Sequence, residues 1–152
     1  MITDKLLVVS GTNDPGSAIT GQTVTSTAVS TDKIDLGTAR DIGEGRDLYM
    51  VFTVITAYSG GTSVTMDVVT STAAALTSPT TRGSTGAIAV ASLTAGAQFV
   101  VPIPPLVASL GERYLGANYT VSGSPTAGSI LAQVVEGIQD GRKYYTSGFT
   151  VV

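Results

Sequence analysis

Between positions 48 and 57, apolar side chains occupy both phases of a two-residue repeat. Leu48, Met50, Phe52 and Val54 fall on one phase, and Tyr49, Val51 and Ile55 on the other. A period of two is that of a β-strand, and apolar residues on both phases predict a central strand covered on both faces. One cover would be an opposing sheet, the other a partner chain or a folded-back tail. Residues 63–71 alternate more cleanly, with Val64, Met66 and Val68 inward and Thr65 and Asp67 outward. Further strands are predicted at residues 6–9, 18–29, 86–93 and 98–103, with a short one where Ile34 and Leu36 flank Asp35. In residues 113–122, Leu115, Ala117, Tyr119 and Val121 share a face; in 129–135, Ile130, Ala132 and Val134 do. These last two strands read as an antiparallel hairpin about the turn at 123–128.

The punctuation between strands is equally legible. Gly60-Gly61 supplies positive φ for a tight turn, and residues 11–16 form a dense turn cluster. Residues 72–82 read as a polar connection, with one helical turn at 73–76 that Pro79 stops. Residues 83–86 have turn composition. Pro102, Pro104 and Pro105 mark an edge, and residues 106–110 a short helix or packed loop. The expected fold is all-β: one domain over residues 1–152, a jelly-roll-like β-sandwich of about eight to ten short antiparallel strands.

Composition narrows the chemistry. Charged residues are 12% of the chain and the formal charge is −3, with eight scattered Lys and Arg. No basic stripe favours nucleic acid, and no apolar run reaches the 18 residues of a membrane-spanning helix. The start of the chain does not read as a secretion signal, so the protein is expected to be either intracellular or carried outside by something other than the general secretion route. The chain has no Cys and no His, which excludes disulfides, thiolate metal sites and the commonest general base. No nucleophile elbow, Walker loop or dinucleotide fingerprint is present. Carboxylate pairs for glycoside hydrolysis are available in Asp35 with Asp41 and in Glu44 with Asp47, but each has a base within a few residues. The reading is of a protein that is not an enzyme and needs no cofactor or metal.

Eight of the nineteen charges lie between Asp32 and Asp47, immediately before the central strand. Asp35, Arg40 and Asp41 are the expected core of a self-paired structural corner that aims residues 48–57 into the fold. The tail, residues 140–152, holds Tyr144, Tyr145 and Phe149, three of the nine aromatics. It reads either as a terminal strand of its own sheet or as an arm docking on a neighbouring subunit.

The segment Lys33-Ile34-Asp35-Leu36-Gly37-Thr38-Ala39-Arg40-Asp41-Ile42-Gly43 resembles one found in capsid cement proteins of tailed double-stranded-DNA bacteriophages. The similarity continues in order through residues 1–5, 78–81, 99–104, 113–115, 118–121 and 124–128, and ends with 145–151. Residues 11–21 are longer than that pattern. The resemblance implies a structural virion protein, assembled in the bacterial cytoplasm, that stabilises the DNA-filled head. It would bind the outer surface of the major capsid protein lattice and bridge adjacent capsomers. It also implies a homo-oligomer, a dimer at two-fold positions first and a trimer second. Candidate capsid or subunit contacts are Arg40, Arg46, Arg113, Tyr144, Tyr145 and Phe149, since Arg and aromatics are favoured at interfaces. The alternative is a carbohydrate- or host-receptor-binding sandwich on a phage particle. That would want a platform of exposed aromatics, which a chain without Trp is poorly supplied to build.

Overall fold

A computed structural model describes residues 4–14, 16–37, 47–105 and 111–137. In chain order its strands are β1 (Val8–Ser10), β2 (Gln22–Thr23), β3 (Ala28–Val29), β4 (Ile34–Asp35), β5 (Leu48–Gly60), β6 (Ser63–Ser71), β7 (Thr80–Ala89), β8 (Gln98–Ile103), β9 (Tyr114–Ser122) and β10 (Pro125–Glu136). They form two antiparallel sheets. The first runs β1-β10-β5-β8, with β2 also on β10; the second runs β3-β9-β6-β7, with β4 also on β9. With β1/β2 and β3/β4 each taken as one interrupted edge strand, these are the two four-stranded sheets of a jelly roll. The all-β sandwich expected from the alternation is therefore the fold observed.

The predicted inward residues make the core. Met50, Phe52 and Val54 of β5 meet Val64, Met66 and Val68 of β6, together with Leu115, Ala117, Tyr119, Ile130, Ala132 and Val134. The Phe52 and Tyr119 rings meet edge to face across the sandwich, 6.1 Å between centroids and 80° between planes, a favoured aromatic geometry. The Tyr119 hydroxyl shares a 2.6 Å hydrogen bond with Ser10 Oγ, tying β9 to β1. Burial pushes the Tyr119 phenol above its ordinary pKa, against the opposing effect of that bond. On the far face of the first sheet, Val51, Leu131 and Val135 are also buried. The central strand is thus covered on both faces, as its doubled apolar pattern predicts. The tail expected as one possible cover lies outside the described residues, as do residues 106–110.

Several sequence expectations need correcting. β9 and β10 do not form a hairpin: β9 pairs with β6 and β10 with β5, so the turn at 123–124 carries the chain between sheets. Local alternation reports which face a residue takes, and is silent on which strand it pairs with. Residues 83–86 lie inside β7, which starts at Thr80 and ends at Ala89, before a 3-10 turn at Val90–Ser92. A bulge opposite residues 65–67 accommodates the glycines there. Residues 73–76 make a turn rather than a helix. Leu76 takes the left-handed region at φ 52° and is buried, packing where Gly116 carries no side chain; a Cβ there would lie 2.5 Å from a Leu76 methyl. Residues 18–29 give two short strands in different sheets, β2 and β3. Lys5–Leu7 is a 3-10 turn before β1. Gly60 and Gly61 take φ of 71° and 76°, as their turn requires.

Candidate functional site

The polar chemistry of the described residues gathers at one end of the second sheet. There β4 and β6 end and β7 and β9 begin, so four strand ends lie side by side. Two consecutive residues, Glu112 and Arg113, sit just before β9 and reach in opposite directions.

Glu112 reaches toward β6 and β7. Its carboxylate accepts from the Arg82 guanidinium and from the Thr70 hydroxyl. Arg82 Nε also donates to Thr70 Oγ1 at 2.9 Å, closing a three-membered network. Thr70 is fully buried, and the Arg82 and Glu112 side chains are 18% and 13% exposed. Burial alone would raise the Glu112 pKa, but hydrogen bonds from Thr70, Thr80 and Arg82 outweigh it and hold the carboxyl below its usual value.

Arg113 reaches toward β4. Its Nε and Nη2 donate to the two oxygens of Asp35 at 2.5 and 2.6 Å, a bidentate pair. The guanidinium carbon lies 5.2 Å from the centroid of the Tyr114 ring, within cation–π range. Asp35 also accepts from the Gly37 backbone N–H at 2.8 Å. The Arg113 pairing, then the Gly37 bond, lower its pKa to about 2. Backbone bonds from Leu36 N–H to the Arg113 carbonyl, and from Arg113 N–H to the Ser71 carbonyl, carry the same tie across the sheet.

For Asp35 this corrects the expected pairing within the corner; the Arg40 and Asp41 part of that reading lies outside the described residues. The partner of Asp35 is Arg113, 78 residues away in sequence. Arg113, expected as a contact residue, is held in that pair with its side chain 44% exposed. Arg40, Asp41, Arg46, Tyr144, Tyr145 and Phe149 lie outside the described residues. Glu112, Arg82 and Thr70 were missed from sequence. The available signal was three consecutive non-core residues, Gly111-Glu112-Arg113, leading into a strand of otherwise uncharged residues.

Two concave surfaces flank the segment 11–21. Thr12 and Thr20 close it with paired backbone bonds of 3.0 Å and a 2.6 Å hydroxyl–hydroxyl bond. On one side, a cavity of about 360 Å³ is lined by Lys5, Leu6, Asn13, Asp14, Asp32 and Lys33 among others, with Lys5 and Asp14 paired at 3.0 Å. On the other, a shallower one of about 520 Å³ is lined by Ile19, Ile55, Thr56, Ala127 and Ser129 among others. Neither has an aromatic residue in its lining. Among the described residues, no group of three or more acidic side chains is placed to hold a metal ion. None of their helices is long and apolar enough to cross a membrane.

Compared with known proteins, the chain matches the sequence profile of one family, Bbp16, over residues 18–134, well over half its length. No curated protein matches it significantly.

Proposed function

This chain belongs to the Bbp16 family, and we propose that it is a structural virion protein, a capsid cement protein. In this reading it binds the outer surface of the assembled major capsid protein lattice, bridges adjacent capsomers and stabilises the filled head. The observation that carries the proposal is the ordered series of segments, running nearly the length of the chain, that resembles phage cement proteins.

The physical character of the molecule supports it. Cementing a shell needs a stiff body and complementary surfaces, and two long-stranded sheets tied to each other by the Ser10–Tyr119 bond, with the Glu112–Arg113 clasp joining strands within the second sheet, provide stiffness. A symmetric homo-oligomer, a dimer first and a trimer second, would present each surface more than once, so that modest contacts gain from avidity. The purified protein should bind expanded empty capsids of its phage and raise their melting temperature. Absence of binding to those shells, with the protein folded, would sink the proposal.

A further inference from the structure

The outer face of the first sheet carries no charge across its middle. Met50, Phe52 and Val54 of β5 point into the core, so Tyr49, Val51, Thr53 and Ile55 point away from it. In successive cross-strand rows, Tyr49 lies between Val135 of β10 and Pro102 of β8, Val51 between Gln133 and Val100, and Thr53 between Leu131 and Gln98. All ten described strands belong to the two sheets, so none of them makes a third layer here. Yet Val51 and Val135 are each 1% exposed, while Val100 at the edge is 39% exposed. Those fractions hold for one chain alone, so the cover over Val51 and Val135 does not come from a neighbour.

Segment 11–21 meets this face along part of β10. Asn13 Nδ2 donates to Gln133 Oε1 at 3.4 Å, and Ile19, Thr20 and Gly21 form one wall of the cavity of about 520 Å³ that also holds Ile55, Thr56 and Ser129. Every residue lining that cavity is aliphatic, hydroxyl-bearing or glycine, and Ile19 is 52% exposed. The cavity near Lys5, Asp14, Asp32 and Lys33 is charged by contrast. An uncharged hollow with exposed aliphatic walls suits an apolar occupant, which loses contact with water there without desolvating a charge. The chain supplies one. β10 ends at Glu136, in register with Leu48, and Gly137 then takes φ of 70°, which turns the chain out of the strand. Beyond it lie residues 138–152, whose last nine carry no charged side chain and include Tyr144, Tyr145, Phe149, Val151 and Val152. At about 3.3 Å per extended residue, residues 138–152 span roughly 50 Å. The strand path from Glu136 back to Ser129 is roughly 23 Å. The segment is therefore long enough to return along the outer face of its own sheet as far as the cavity.

We propose that residues 144–152 dock on the outer face of the first sheet of their own chain, with aromatic side chains seated in the cavity beside Ile19 and Ile55. The inference stands apart from the capsid reading, and neither depends on the other.

Because the chain has no Cys, one nitroxide label can be placed in the full-length protein at Ser147→Cys and read by paramagnetic broadening of backbone amide signals. Signals of Ile19, Ile55 and Ala127 should broaden, and those of Ser84 and Thr120 on the other sheet should stay sharp. The broadening should disappear when label and isotope are carried by different chains of a mixed sample. Adding Phe149→Asp to the labelled chain should restore sharp signals at Ile19 and Ile55. A second label at Thr23→Cys, on the exposed rim of the cavity, should broaden Tyr145 and Phe149, and it decides the matter if the label at 147 itself prevents docking. Broadening on the second sheet, broadening seen only between chains, or sharp cavity and tail signals with both labels overturns the assignment.

Discussion

Glu112 and Arg113 are adjacent, oppositely charged, and each engaged by an oppositely charged side chain, yet they make two different kinds of ion pair. Glu112 turns inward, where Arg82 and the buried Thr70 satisfy it in a mostly desolvated pocket. Arg113 turns outward to a carboxylate that water also reaches. Geometry is excellent in the second case, and bidentate. The difference teaches that geometry alone does not set the energetic weight of a pair. Desolvation makes loss of one partner costly in the first case, while solvent screens the second. The inner pair should therefore hold one end of the second sheet together, and the outer one should align β4 on β9 with little effect on global stability.

Substitutions should separate the two. Glu112→Ala leaves a largely buried guanidinium without its carboxylate, and we expect a loss of about 3 kcal/mol in urea unfolding. A loss below about 1 kcal/mol would place the inner pair with surface pairs and remove the contrast. Ser10→Ala sits between the extremes, since it leaves the buried Tyr119 hydroxyl without its neutral partner. It should cost about 1–2 kcal/mol by the same measurement.

Acid titration sharpens the comparison further. Both carboxyls are held below their unfolded values, Glu112 below 4.5 and Asp35 down to about 2 from 3.8. In that window the unfolded chain binds more protons than the folded one. Both contributions are then complete above about pH 4.5 and are lost as pH falls, the Asp35 one by about pH 2. Asp35→Asn and Glu112→Ala should each flatten part of the dependence of unfolding free energy on pH below 4.5. If Asp35→Asn leaves that dependence unchanged, solvent screens the outer pair completely.

The smallest effect is expected for Asp35→Asn near neutral pH, with an unfolding midpoint close to wild type. Its signature should be local, namely faster amide hydrogen exchange at Leu36 and Gly37, whose N–H groups bond to the Arg113 carbonyl and to Asp35. Unchanged exchange there would mean that the outer pair aligns nothing.

How much was legible beforehand differs between core and clasp. The inward residues of β5, β6, β9 and β10 follow from alternation, because a pleated strand sends successive side chains to opposite faces whatever it pairs with. The doubled apolar pattern of β5 likewise announced burial of Val51 on the far face. The clasp was not legible in that way. Asp35 is surrounded in sequence by Lys33 and Arg40, and proximity along the chain pointed to them, whereas pairing of β4 with β9 brings Arg113 to it. Asp67 was read correctly as facing away from the core and incorrectly as open to water; it is 9% exposed, since exposure depends on what neighbouring strands place beside it.

By itself, then, the sequence determined the β class, the strand faces, the glycine turn after β5 and the absence of His and Cys chemistry. These are local or compositional properties that each residue carries before any pairing exists. Tertiary structure decided the interleaving of the two sheets, the separation of β9 from β10, the partners of Asp35 and Glu112, and the recessed position of Asp67. Each of these depends on contacts between residues far apart in the chain. Such contacts are selected by the joint packing of all ten strands, which no local pattern encodes.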